Sequence, residues 1–392
     1  MSEALQFTDF GKLDLARLPS PCYVVDEVAV ERNLAILRQV ADDSGARILS
    51  ALKAFSMWRL APLVGRYLDG TCASGLHEAR LGHDYYDGEL HVFSAGYNEA
   101  DLRAILAIAD HVVFNSCGQW HRFRELALEA QRERPQLRFG LRINPEHSEG
   151  DVPIYDPCAP GSRLGIPRSQ IDAACLDGIS GLHFHTLCEQ DFPPLQRTLE
   201  AVETRFGDLL PQMEWVNFGG GHHITRPGYQ LDQLVTCIRD FSRRHEVQVY
   251  LEPGEAVAIG TGVLVTEVLD LAWNTLDQAI LDCSATCHMP DILEMPYRPQ
   301  LAGAGLPGEY PHSYRLGGLT CLAGDVVGDY SFPQPVQVGQ RLMFADMAHY
   351  TMVKTSTFNG TRLPAIVLWN SITDALEVVR EFGYDDFRTR LS

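Results

Sequence analysis

Eight short apolar runs, separated by stretches with helical periodicity, limit what this chain can fold into more than any other feature. Runs near 46–51, 70–73, 90–93, 111–114, 138–143, 179–184, 215–218 and 248–252 read as buried strands. Amphipathic stretches such as 27–44, 99–109, 117–133 and 231–245 read as the helices between them. Strands that are apolar on both faces and alternate with helices make a parallel sheet, and eight of them close a (β/α)8 TIM barrel. After about residue 256 the rhythm stops, and β-rich runs follow at 262–271, 278–282, 336–346 and 364–369. The expected architecture is therefore a barrel over 24–256 plus a C-terminal β-domain, a β-barrel or sandwich, over 257–392. That second domain also takes residues 1–23, because the strand-like run at 21–25 does not belong to the eight.

Barrel enzymes carry their chemistry at the C-terminal ends of the strands. The residues there are Lys53 after the first strand, Ser74 after the second, Asn144 after the fifth and His185 after the sixth. Gly219, Gly220 and Gly221 follow the seventh, and Glu252 ends the eighth. A lysine at a strand end is most often a solvated charge, and three glycines are most often a loop. Together at the mouth of one barrel they point to a bound aldehyde phosphate, pyridoxal 5′-phosphate (PLP). Lysine condenses with carbonyls once burial lowers its pKa, and glycine N–H groups approach phosphate oxygens closely after strand seven.

A chain of 392 residues with 45% apolar residues can fill a large core, and its formal charge of −19 argues against a nucleic-acid partner while suiting a cationic substrate. Residues 1–20 show no apolar secretory segment and no window reaches a membrane span, so a cytoplasmic protein is expected. The ten cysteines form no dense framework and are expected to be free thiols. His222 and His223 follow the glycines, but adjacent histidines rarely chelate alone, and no metal is expected.

An ordered series of motifs covers nearly the whole chain: Ala51-Leu52-Lys53-Ala54, Cys72-Ala73-Ser74, His183-Phe184-His185, Phe218-Gly219-Gly220-Gly221, Glu252-Pro253-Gly254, Cys321-Leu322-Ala323-Gly324-Asp325, and Tyr350 ahead of Thr357-Phe358-Asn359-Gly360. In this order they resemble the alanine racemase-like, fold-type III PLP decarboxylases, the group holding ornithine, arginine and diaminopimelate decarboxylases. Leu182 to Glu189 and Glu252 to Glu255 are similar to the branch that acts on carboxylated polyamines. The resemblance implies that Lys53 holds PLP, Glu252 bonds the pyridine nitrogen, His185 stacks on the ring, and Gly219 to Gly221 with Tyr350 bind the phosphate. Ser74 is a further cofactor candidate, and His183 stays ambiguous. Cys321 would return a proton to Cα across a homodimer interface, although a small buried hydrophobe is the commoner fate of a cysteine.

The chain also departs from the family pattern. Where relatives carry arginine after Glu-Pro-Gly it has Glu255, and in the 289–294 segment, where they end on arginine, it has Glu294. Opposite charges at those points would reject a dicarboxylate and accept a polyamine. Glu255 and Asp291 are the expected readers of distal ammonium groups, with Asp282, Glu294 and Asp325 as second choices, although acids on loops at a barrel mouth are often merely solvated. The loss of an arginine leaves open which group assists the phosphate. Other readings are a decarboxylase for ornithine, lysine or arginine, and a catalytically silent relative that binds a partner protein.

Overall fold

The computed structural model describes residues 10–150 and 152–392. After a first buried strand, β1 (Cys22–Asp26), come eight more: β2 (Arg47–Ala51), β3 (Gly70–Ala73), β4 (Glu89–Phe93), β5 (His111–Phe114), β6 (Arg138–Arg142), β7 (Gly181–His183), β8 (Trp215–Asn217) and β9 (Gln248–Leu251). Each of β2 to β9 pairs in parallel with the next, and β9 pairs with β2, so the barrel expected from the apolar runs is closed. The helices Glu27–Ser44, Glu99–Leu106, Cys117–Glu133 and Leu231–His245 lie where the periodicity put them. Two of these, Glu99–Leu106 and Cys117–Glu133, start on a capping side chain, Asn98 Oδ1 accepting from the Asp101 N–H and Ser116 Oγ from the Gln119 N–H.

The remaining strands are β10 (Gly262–Asn274), β11 (Leu276–Leu281), β12 (His312–Gly317), β13 (Val326–Phe332), β14 (Arg341–Ala345), β15 (Ala365–Asn370) and β16 (Ala375–Arg380). They form a mixed sheet in the order β13-β12-β11-β10-β1-β15-β16, with β14 also on β10. The first half of β10 is flanked by β1 and β14, and its second half pairs with β11. β1 joins this sheet by running antiparallel to β10 and parallel to β15, as expected for the N-terminal strand. Its residues pack with Val263, Val265, Val367 and Trp369 in a buried cluster that also takes Phe10 and Leu13. Two compact units result: Glu31–Val257, and the residues up to Val30 with Ala258–Ser392. No helix among the described residues is long and apolar enough to cross a membrane.

The lower half of the barrel is filled by rings. Trp215 on β8 lies across the paired glycines Gly140 and Gly181, where a Cβ would come within 2.4 and 2.0 Å of indole carbons. His111 packs 4.8 Å from Trp215 and stacks on His91 at 3.9 Å, and His91 lies 4.7 Å from Tyr250. Ligand atoms of Glu89, His91 and His111 fall within 4.8 Å of one another, a spacing that suits a metal. The Glu89 carboxylate there is engaged by Arg47 and by His91 Nε2 at 3.0 Å.

One expectation is corrected. Cys117 and Cys175 are joined in a disulfide, with Cα atoms 5.2 Å apart, and the other eight cysteines are free. The two partners stand 58 residues apart, at the starts of helices Cys117–Glu133 and Ala173–Leu176, and the fold alone brings them together.

The glycine pair beneath Trp215 yields a test. Gly181→Ala should lower the urea unfolding free energy by about 1–3 kcal/mol, the usual cost of overpacking. An unchanged midpoint would mean that Trp215 moves aside freely.

Candidate active site

The C-terminal mouth of the barrel collects charged and polar side chains from the ends of several strands. Lys53 follows β2 and is half-buried. Burial above all holds its amine below the ordinary lysine range, with Cys72 and Glu252 opposing and Arg142 reinforcing the shift. Glu252 follows β9, and its carboxylate is gripped by the last residues of β7 and β8. His183 Nε2 lies 3.2 Å from one oxygen, and Asn217 Nδ2 donates to the other at 2.7 Å. Burial acts to raise the Glu252 pKa, but His183 and Asn217 outweigh it and bring the group down to about 2. The carboxylate is therefore ionised although only 14% of the side chain is exposed.

Arg142, the last residue of β6, was not anticipated. Its guanidinium lies 4.5 Å from the Phe93 ring centroid and donates to the His185 carbonyl at 3.2 Å, and burial brings its pKa down to about 10. The sequence signal for it was an arginine closing an apolar run. Asn144, two residues on, was read instead, and its Oδ1 accepts from the Glu146 N–H in a local turn. Ser74 is exposed at the end of β3, and its N–H donates to Glu78.

After β8 the chain turns sharply through the glycine triplet, with φ of +70° at Gly219 and +90° at Gly221. A Cβ at Gly219, Gly220 or Gly221 would meet the carbonyl oxygens of Phe184, Glu252 and Leu187 at 2.5, 2.1 and 1.9 Å. Only glycine fits this cradle. Two of its N–H groups have protein acceptors: Gly219 donates to Asn217 Oδ1 at 2.8 Å and Gly220 to His185 Nδ1 at 3.0 Å. Accepting through Nδ1 makes His185 a neutral ring, and burial holds its pKa well below the usual histidine value. A nucleophilic amine, an ionised carboxylate, a neutral imidazole and a glycine cradle, all on one unit, fit PLP's aldehyde, ring nitrogen, ring face and phosphate.

Glu255 begins the short helix Glu255–Ala258, and its Oε1 lies 3.2 Å from His223 Nε2. His222 Nδ1 is 2.6 Å from the Tyr229 hydroxyl, so the adjacent histidines turn to different partners rather than converging as ligands.

The other predicted residues lie on the second unit. Cys321 is exposed, and its N–H donates to Asn359 Oδ1 at 2.9 Å. Tyr350 adopts a left-handed backbone with φ of +48°. Asp291 and Glu294 share the helix Asp291–Glu294, and Lys354 Nζ lies 2.5 Å from an oxygen of each. Asp325 is buried and takes donors from Ser284 Oγ, the Thr286 N–H, and both the N–H and the hydroxyl of Thr320. Asp282 accepts from Thr266 Oγ1 at 2.6 Å and the Glu267 N–H at 2.9 Å. These two second-choice ammonium readers are tied into the fold: Asp325 pins the loop that carries Cys321, and Asp282 joins the end of β11 to β10.

A pH test follows from Glu252. Its folded pKa is depressed, so it contributes stability that is fully present above the ordinary value of 4.5 and lost as pH falls toward about 2. Glu252→Gln should unfold with a shallower dependence of free energy on pH across that window, measured by urea titration at fixed pH. Identical slopes would sink the pairing with His183 and Asn217.

Comparison with known proteins identifies the family. The family described as "Pyridoxal-dependent decarboxylase, C-terminal sheet domain" matches residues 22–348. A carboxyaminopropylagmatine decarboxylase from Synechocystis is 45% identical, with 96% of each chain covered. A carboxynorspermidine/carboxyspermidine decarboxylase from Campylobacter jejuni is 40% identical, over 95% of this chain and 99% of that one. The crystal structure of the C. jejuni carboxynorspermidine decarboxylase with norspermidine superposes with a TM-score of 0.87 at 39% identity, covering 95% of this chain and all of the other. The chain belongs to the pyridoxal-dependent decarboxylases and is a PLP-dependent carboxy-lyase of polyamine biosynthesis.

Proposed function

We propose that this enzyme decarboxylates carboxynorspermidine or carboxyspermidine to norspermidine or spermidine. The observation that carries the reading is a full-length relation at 40% identity to an enzyme named for those substrates. The acids Glu255, Asp291 and Glu294, each paired in the protein with a histidine or a lysine, have the charge that suits a polyamine's ammonium groups. A second reading has its own support: carboxyaminopropylagmatine, which names the 45% identical relative, ends in a guanidinium that the same carboxylates could hold. Ornithine, lysine and arginine are the remaining cations to exclude.

Bound PLP supplies an electron sink for the pair left at Cα as CO2 departs. Lys53, whose amine burial holds below the ordinary lysine range, would hold the cofactor through that amine. Glu252, which stays ionised, would face the ring nitrogen and favour its protonated form. The neutral His185 would lie against the ring face, and its Nδ1 is locked by the Gly220 N–H. With Gly219 and Gly220 already donating within the protein, the Gly221 N–H and the Tyr350 hydroxyl are the groups assigned to the phosphate, with Ser74 at the mouth as a weaker partner. Cys321 gives Cα a proton as CO2 leaves, and its thiolate recovers one from water.

Cys321 is exposed, and its neighbours Leu319 and Leu322 are 46% and 45% exposed, a surface that suits a second copy of the chain. We therefore read the active form as a homodimer in which each Cys321 serves its partner's site. A cytoplasmic location fits a biosynthetic enzyme with a working free thiol, while the Cys117–Cys175 bridge pulls the other way.

CO2 release from PLP-saturated protein, offered carboxynorspermidine, carboxyspermidine, carboxyaminopropylagmatine, ornithine, lysine and arginine in parallel, decides the substrate. The carboxylated triamines should turn over best, and Lys53→Ala should abolish release. Preference for ornithine or lysine would overturn the reading. In the same assay Cys321→Ala should lower kcat by about 10²-fold, the usual contribution of a general acid. Glu255→Gln should raise KM by about tenfold with kcat little changed, since it removes a charge that binds ground state and transition state alike.

A further inference from the structure

Among the described lysines and arginines only Arg142 is buried, with 5% of its surface exposed. Burial lowers its pKa only to about 10, so the guanidinium stays charged at neutral pH. A buried charge is costly unless opposite charge or hydrogen bonds compensate it. No ion pair joins Arg142 to a carboxylate among the described residues, and of its five N–H groups one alone, on Nη2, has a protein acceptor, the His185 carbonyl at 3.2 Å. Neither Nε nor Nη1 is sealed from solvent, so these unused donors open onto the mouth of the barrel.

The guanidinium is nevertheless held in place. It lies 4.5 Å from the centroid of Phe93, and Phe93 stacks at 5.5 Å on His183, the histidine that holds Glu252. Glu252 is the carboxylate that most favours the charge of Arg142, and Arg142 in turn adds to the depression of the Lys53 amine. A fixed cation with unused donors, beside the residues that fit PLP, calls for an anionic acceptor on the ligand. PLP carries two anionic groups. The phosphate falls to the glycine cradle after β8, two strands from Arg142 on β6. The phenolate oxygen, on the ring carbon beside the one that bears the aldehyde, has no partner in the site described above. The substrate's α-carboxylate is the rival anion, but a guanidinium on it would stabilise the charge that has to vanish as CO2 forms, favouring the ground state over the transition state.

We propose that Arg142 is a cofactor-binding residue whose unused N–H groups hold the phenolate oxygen of PLP. It pins the edge of the ring that Glu252 and the cradle leave free, and it favours the ionised form of that oxygen. An arginine that only braced Phe93 and the His185 carbonyl would be indifferent to the oxygen. The proposal rests on PLP and not on which amine is the substrate, so its failure leaves the substrate reading untouched.

The test is the affinity of the cofactor-free full chain for PLP and for an analogue with hydrogen in place of the 3-hydroxyl, measured by equilibrium dialysis on wild type and on Arg142→Met. Wild type should bind PLP more tightly than the analogue, and Arg142→Met should reduce that preference about tenfold, the scale of a hydrogen bond to a charged group. Whatever the hydroxyl contributes to the bond with Lys53 is common to both proteins and cancels in the ratio. Arg142→Lys keeps a charge but cannot both stack on Phe93 and fork toward the oxygen, so it should lose the preference as well, and it carries the test if the methionine variant does not fold. Equal affinities of wild type for PLP and the analogue overturn the proposal, as does a preference that survives substitution. A surviving preference with a raised KM in the CO2 assay would put the guanidinium on the substrate's carboxylate instead.

Discussion

The ionised carboxylate of Glu252 is the interaction on which the barrel's chemistry depends. A carboxylate so little exposed is costly unless donors surround it, and His183 and Asn217 supply them from the ends of two adjacent strands. Parallel pairing makes this possible, because it brings the ends of the neighbouring strands β7, β8 and β9 side by side. Asn217 serves twice: its Nδ2 binds Glu252 and its Oδ1 accepts from the Gly219 N–H. The acid that would face the pyridine nitrogen and the cradle that would face the phosphate are thus joined through one amide side chain.

The same closure explains the floor. Trp215, Tyr250, His91 and His111 fill the barrel below the mouth, and the indole lies flat only because Gly140 and Gly181 sit opposite each other on β6 and β7. Filling the floor with rings excludes water beneath the charged mouth, which keeps the local dielectric low. That in turn sustains the depressed pKa of Lys53 and the neutrality of His185.

Diaminopimelate decarboxylases share the fold of this chain at 18% identity or less in the superposed structures. Glu255 is paired with the buried His223, and Asp291 and Glu294 are paired with Lys354. Acids that bind cations are thus present without being left bare, and each is held in place by a cation or a histidine of the protein.

The barrel, its eight strands and the position of Lys53, the glycine triplet and Glu252 could be read from sequence because each is a local signal: an apolar run and the residue that ends it. The N-terminal strand's place in the second sheet was legible for the same reason, as a ninth run left over from eight. Arg142 ended a run in the same way and was passed over for Asn144, although the rule that found Glu252 applied to it. The Cys117–Cys175 bridge, the Trp215 floor and the engagement of Lys354 by Asp291 and Glu294 carried no such signal. Each depends on residues distant in sequence, 58 apart for the cysteines, whose meeting is set by how the strands close and how the loops return. Sequence determined which residues stand at the strand ends, since burial periodicity is written locally. Tertiary structure alone decided which donors meet each acid, those of the sheet and loops at Asp282 and Asp325 and those of two strand ends at Glu252, because these donors come from distant parts of the chain.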